Sequence, residues 1–153
     1  MKMPSGQGLW PAFWLLGSNI STAPWPACGE IDIMEYRGQE TNLVHGALHG
    51  PGYSGASPIS AHYDLPGNGF DAAFHIFAVE WTQGTITWLV DDQVYQRLTA
   101  ADLPGSARWV FDHPFNIMLN LAVGGGYVGD PDASTVFPQT MLVDWVRVYS
   151  TGD

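Results

Sequence analysis

Gly29-Glu30-Ile31-Asp32-Ile33-Met34-Glu35 sets three carboxylates into one short, otherwise apolar run. An ionised carboxylate in apolar surroundings costs free energy unless it is paired or hydrogen-bonded, so strands are usually poor in acids. Flanked by Ile31, Ile33 and Met34, the run still reads as a β-strand. Side chains alternate across a strand, so Glu30 and Asp32 share a face and Glu35, on regular geometry, takes the opposite one. A β-bulge absorbing one extra residue near Ile33 or Met34 returns Glu35 to the side of the other two. Three acids then converge on one sheet face, and a facing pair of carboxyls is what glycosidic bond cleavage needs. The same acids could instead form a solvated edge or supply oxygen ligands to a divalent cation.

Upstream lies Gly8-Leu9-Trp10-Pro11-Ala12-Phe13-Trp14-Leu15-Leu16-Gly17, then a Pro-rich turn carrying Trp25. In an extended segment Trp10, Ala12 and Trp14 share one face while Leu9, Phe13 and Leu15 share the other. Tryptophan faces stack well on sugar rings, because they offer large flat apolar area at low side-chain entropy cost. A single isolated Trp is more readily explained as core. Seven in 153 residues, several beside an acidic strand, point to a carbohydrate groove.

These blocks resemble the laminarinase-type members of glycoside hydrolase family 16, whose signature is Glu-Ile-Asp-Ile-Met-Glu after a Gly-Leu-Trp-Pro-Ala-Phe-Trp strand. Leu43 to Gly50 resembles the family's next strand, and Phe74 to Trp81 one bearing another groove tryptophan. Phe115 to Gly125 and Met141 to Tyr149 resemble its closing strands. The implied fold is all-β, an antiparallel jelly-roll β-sandwich of the concanavalin-like kind with a concave glycan-binding face. A single catalytic domain over residues 1–153 is expected, partial at its N-terminus.

The resemblance implies a retaining endo-β-1,3-glucanase, acting on laminarin-like or mixed-linkage glucan. By it, Glu30 is the nucleophile, Glu35 the general acid/base, and Asp32 the residue that holds the nucleophile and keeps their protonation states apart. Retention requires two carboxyls about 5–5.5 Å apart, one ionised and one protonated. Crowding like charges raises the pKa of one of them. Spacing alone does not decide which glutamate has which role. Trp14, Trp25 and Trp81 match groove positions, and His49 matches a polar contact beside the cleaved bond. Arg37, two residues past Glu35, either contacts a sugar hydroxyl or pairs with an acid. Trp10 either faces the groove or borders it. Trp88, Trp109 and Trp145 are assigned to the core or the outer sheet.

Composition fits an all-β domain. With 13% aromatic residues, 18 Gly and 11 Pro, the chain reads as turn-rich. Ile86 to Val90 and Val94 to Leu98 flank Asp91-Asp92 as a hairpin, and Thr99 to Asp102 is the one helical hint. Longer loops are expected at Pro51 to Phe70 and Gly124 to Pro138. A net charge of −10 with five Lys plus Arg disfavours nucleic acid and anionic membranes as partners. No apolar run approaches the roughly 20 residues that span a bilayer. Cys28 is the single cysteine, so no intrachain disulfide forms, and it is expected to point away from Glu30 or sideways into a loop. Gly124-Gly125-Gly126 lacks the Lys-Ser/Thr of a phosphate loop. His45 and His49 lack a third ligand for zinc.

The chemistry requires no cofactor, and the resemblance implies a structural calcium at Asp144. Family domains have several strands before the Gly-Leu-Trp-Pro-Ala-Phe-Trp segment, and relatives are usually secreted, whereas this chain begins at Met1-Lys2-Met3 with no signal peptide. Missing strands would leave open sheet edges, so self-association or marginal stability is expected. The alternative to an enzyme is a non-catalytic β-glucan-binding module that keeps the aromatic groove. Retention of all three acids favours the enzyme. The acidic surface favours neutral glucans over sulfated galactans.

Overall fold

The computed structural model describes residues 1–150. Eight strands form two antiparallel sheets: β1 (Leu9–Gly17), β2 (Glu30–Tyr36), β3 (Leu43–His49), β4 (Ile59–Asp64), β5 (Phe77–Thr82), β6 (Thr85–Val90), β7 (Gln93–Thr99) and β8 (Phe115–Val123). The larger sheet runs β4-β3-β2-β1-β8 and the smaller β5-β6-β7. The acidic strand therefore sits in the middle of the larger sheet, with a ladder on both sides.

Alternation builds the core between the sheets. Ile31, Met34 and Tyr36 of β2, Val44 and Leu48 of β3, and Ile86, Trp88 and Val90 of β6 are all buried there. Full burial of such a side chain contributes about 1.5–3 kcal/mol. Phe13 and Leu15 of β1 join this core, while Trp10 and Trp14 take the other face. Trp88 is fully buried, in keeping with its assignment to the core, and its indole N–H donates to the Asp32 carbonyl at 2.8 Å across the two sheets.

The β6–β7 hairpin turns at Asp91-Asp92, where φ is 46° and 65°. Two consecutive left-handed residues are the mark of a type I′ turn, matching the strand twist. The helical hint is a single 3-10 turn, Ala100–Asp102. Two expectations need correction. Ile59–Asp64, inside the expected Pro51 to Phe70 loop, is strand β4, an edge whose alternate residues Ser60, His62 and Asp64 are exposed. Met141 to Tyr149 is not a strand: among the described residues its sole ladder contact is the bridge of Leu142 to Lys2. A strand exists only through a partner's hydrogen bonds, and Val143, Trp145, Val146, Val148 and Tyr149 are accordingly exposed.

Candidate active site

The bulge forms in β2. On the β1 side Phe13 pairs with Met34 and Trp14 with Asp32, which leaves Ile33 without an opposite residue. On the β3 side Asp32 pairs with Ala47 and Glu35 with His45, so Ile33 and Met34 together face Gly46. Met34 thereby turns into the core and Glu35 returns to the face of Glu30 and Asp32. Gly46 is required there, since a Cβ would lie 2.4 Å from the Tyr95 hydroxyl and 2.5 Å from the Trp88 ring. A bulge interrupts ladder bonding, and Trp88 supplies the donor for the Asp32 carbonyl at that point.

Cross-strand pairing aligns polar side chains in rows over this face. One row runs Asn120, Ala12, Glu35, His45, His62, and Glu30 lies beside His49. His49 Nε2 is 3.1 Å from Asp32 Oδ2 and 3.8 Å from Glu30 Oε1. Each glutamate also accepts one indole N–H. Trp25 donates to Glu30 Oε2 at 2.8 Å and Trp10 to Glu35 Oε1 at 3.0 Å. Trp14 donates to Asn120 Oδ1 at 2.7 Å.

Burial dominates the electrostatics. Asp32 is 3% exposed and is pushed up to about 6 by burial, with His49 opposing and the Glu30 charge adding. Burial, then the Asp32 charge, push Glu35 up to about 7 against the Trp10 hydrogen bond and the charges of His49 and Arg37. Glu30 is raised by burial too, but His49 and Trp25 favour its ionised form. Burial pulls His49 down, yet Asp32, Glu30 and Glu35 together hold it above its ordinary value. The face thus holds one carboxyl suited to keep a proton near neutral pH beside another whose neighbours favour charge.

The structure brings Glu30, Asp32, Glu35, Trp10, Trp14, Trp25 and His49 together. Trp25, 44% exposed, leaves its ring open for stacking. Arg37 pairs with an acid, Glu40 at 3.1 Å, and lies over the Tyr127 ring at 4.1 Å. Trp81 is not joined to the acids. It sits on β5 of the smaller sheet, its indole donating to the Phe111 carbonyl at 2.9 Å and its ring edge-on to Phe115. Asp144 is exposed, and among the described residues it belongs to no group of three or more acidic, imidazole or thiol side chains. Asn120 and Tyr127 escaped the sequence reading. Asn116 and Asn120, four apart in the apolar run Phe115–Val123, were the available signal for the first. Tyr127, in a glycine-rich loop, offered none.

Two antiparallel sheets with an acidic, tryptophan-lined outer face define a jelly-roll sandwich of carbohydrate-active type. The chain belongs to glycosyl hydrolases family 16, whose model matches residues 1–147. It is 39% identical to a beta-glucanase of Rhodothermus marinus, over 97% of this chain and 54% of that protein. Its structure is similar to the endo-beta-1,3-glucanase of Pyrococcus furiosus, with a TM-score of 0.88 and 51% identity over 90% of this chain and 54% of the other. The laminarinase catalytic domain of Thermotoga maritima gives 0.88 and 50% identity over 90% of this chain and 56% of that one. The chain thus spans about half the length of these relatives.

Proposed function

We propose that this protein hydrolyses β-1,3-glucan internally, with retention of anomeric configuration. The observation that carries this reading is the bulge-driven convergence of Glu30, Asp32 and Glu35, with Glu35 pushed up to about 7. Glu30, ionised and steadied by Trp25 and His49, attacks the anomeric carbon. Glu35 gives its proton to the departing glycosidic oxygen. A covalent glycosyl–Glu30 ester results, and Glu35, now a carboxylate, takes a proton from the water that cleaves it. Asp32 and His49 hold Glu30 in register and share the charge that develops around it. Trp25 and Trp14 offer stacking surface for the glucan chain.

This reaction requires no cofactor. A neutral glucan suits a face on which the described residues gather no cluster of free cations, and a polymeric substrate supports an extracellular enzyme. Relatives of this chain named for laminarin and 1,3-glucan support the substrate class.

Reducing-sugar release from laminarin by the purified protein and by Glu30→Gln tests the reading. Release that disappears in the variant, with β-configured product at early times by proton NMR, is the expected result. Laminarin binding without release by the parent would replace the enzyme with a glucan-binding module.

A further inference from the structure

Resting on the hydrolase reading, we propose that Trp10 is a positioning residue for Glu35, held in place by an aromatic brace, Tyr127, delivered by the loop after β8. Trp10 pairs with Ala122 on β8, and the residue of β1 directly opposite Glu35 is Ala12. The indole therefore reaches Glu35 diagonally over a small side chain, and its N–H meets Oε1 at 3.0 Å. The Tyr127 ring packs against the Trp10 ring at 5.0 Å between centroids. The Arg37 guanidinium lies 4.1 Å from the centre of that tyrosine ring and is itself tied to Glu40. His45 meets the same ring edge-on at 6.0 Å. A continuous chain of contacts thus runs from Glu40 through Arg37, Tyr127 and Trp10 to the carboxyl.

The loop is built to hold Tyr127. The Val128 carbonyl accepts two side-chain donors, Gln7 and Gln39, each at 2.9 Å, and Val128 is buried. The Gly124 N–H donates to the Gly8 carbonyl at 2.7 Å and the Gly129 N–H to Gly125 at 2.8 Å. Gly125 has φ of +112°, a conformation that side-chain-bearing residues rarely adopt, and sits against the Trp10 ring. A ring fixed on this side cannot swing away from Glu35.

A fixed donor has two consequences for the carboxyl. With Oε1 occupied by the indole N–H, the proton of the neutral acid resides on Oε2, the oxygen left for substrate. The donor also favours the ionised form. The other groups around Glu35 are Glu30 and Asp32 on its own strand, Arg37 just past that strand's end, His45 and His49 on β3, and Tyr127. Of the uncharged groups, Trp10 is the one that donates directly to this carboxyl.

The test is a carbon-13 titration of glutamate carboxyls, which are restricted to Glu30, Glu35, Glu40 and Glu80, alongside the pH profile of kcat/KM. Trp10→Phe is expected to move the Glu35 midpoint and the alkaline limb upward by about one pH unit. Tyr127→Ala is expected to move both in the same direction, with no further shift in the double variant, while Tyr127→Phe keeps the brace and leaves both as in the parent. A folded Trp10→Phe protein with an unmoved midpoint would overturn the proposal, as would fully additive shifts in the double variant. The titration needs no turnover. A midpoint that moves in a protein unable to cleave laminarin upholds the brace and removes only the hydrolase reading.

Discussion

At Glu35 burial and the Asp32 charge together hold an ordinary carboxyl at about 7, as the proposed role of general acid requires. Glu30, on the same strand, is raised by burial but keeps His49 and Trp25 as neighbours that favour its charge. That difference supports the roles proposed for the two glutamates, which spacing left open. Glu30→Gln should lower kcat on laminarin by at least about 10³-fold, since losing a covalent nucleophile removes the reaction path itself. In the parent, kcat/KM should fall as pH rises through about 7, where Glu35 loses the proton it must deliver. An alkaline limb starting well above pH 8 would exclude Glu35 as the acid. The same groups act on stability. Glu35 binds its proton more tightly folded, at about 7, than unfolded, near 4.5, and Asp32 does likewise at about 6 against 3.8. Their contribution is therefore full below about pH 4 and is lost as pH rises through 6 and 7. Glu35→Gln, neutral throughout, should gain Tm over the parent at pH 8 but not at pH 4. An equal change at both would show that the group's ionisation is not what limits stability.

Among the elements, β2 decides the site. Its bulge is anchored by Trp88, whose indole reaches the Asp32 carbonyl, and by Gly46, whose missing side chain makes room for Trp88 and Tyr95. Gly46→Ala forces a Cβ into that contact, and overpacking of this kind costs about 1–3 kcal/mol. The expected outcome is a lowered midpoint in urea together with lost activity, because the Trp88 ring and the bulge move together. Deleting Ile33 should be milder for the acids. It removes the extra residue, so Glu35 takes the parity of Glu30 and Asp32 and regular alternation keeps all three on one face without a bulge, and hydrolysis of laminarin is expected to persist at a reduced rate. A folded deletion variant with no hydrolysis would mean that the bulge sets the spacing of the carboxyls as well as their face.

The whole molecule shows an imbalance between its two ends. Around β2 and β3 the large sheet is covered on its inner face, whereas β8 ends the sheet with Ile117, Met118, Leu119 and Val123 exposed. Val143, Trp145, Val146 and Val148 add to this surface. Apolar surface of this extent beside an open strand edge favours association. The protein is therefore expected to sediment as concentration-dependent oligomers, or to unfold at low urea. A stable monomer across a wide concentration range with a high unfolding midpoint would refute that expectation.

Local alternation was enough to read much of this chain. The two faces of Leu9–Gly17, the convergence of three acids through a bulge, and the Asp91-Asp92 turn all follow from neighbours within a few residues. Those features depend on backbone geometry that each short segment carries with it. Partner-dependent features were not legible. Ile59–Asp64 is a strand because β3 pairs with it, and Met141 to Tyr149 is not one because none of the described residues pairs with it beyond Leu142. Trp81 and Trp14 look alike in sequence, yet one, on the smaller sheet, bonds the Phe111 carbonyl and the other Asn120 beside the acids. The order in which the carboxyls hold protons, and the brace from Tyr127, likewise arose in the tertiary structure. Burial and charge at a site are sums over groups distant in the chain, and only folding brings those groups within range.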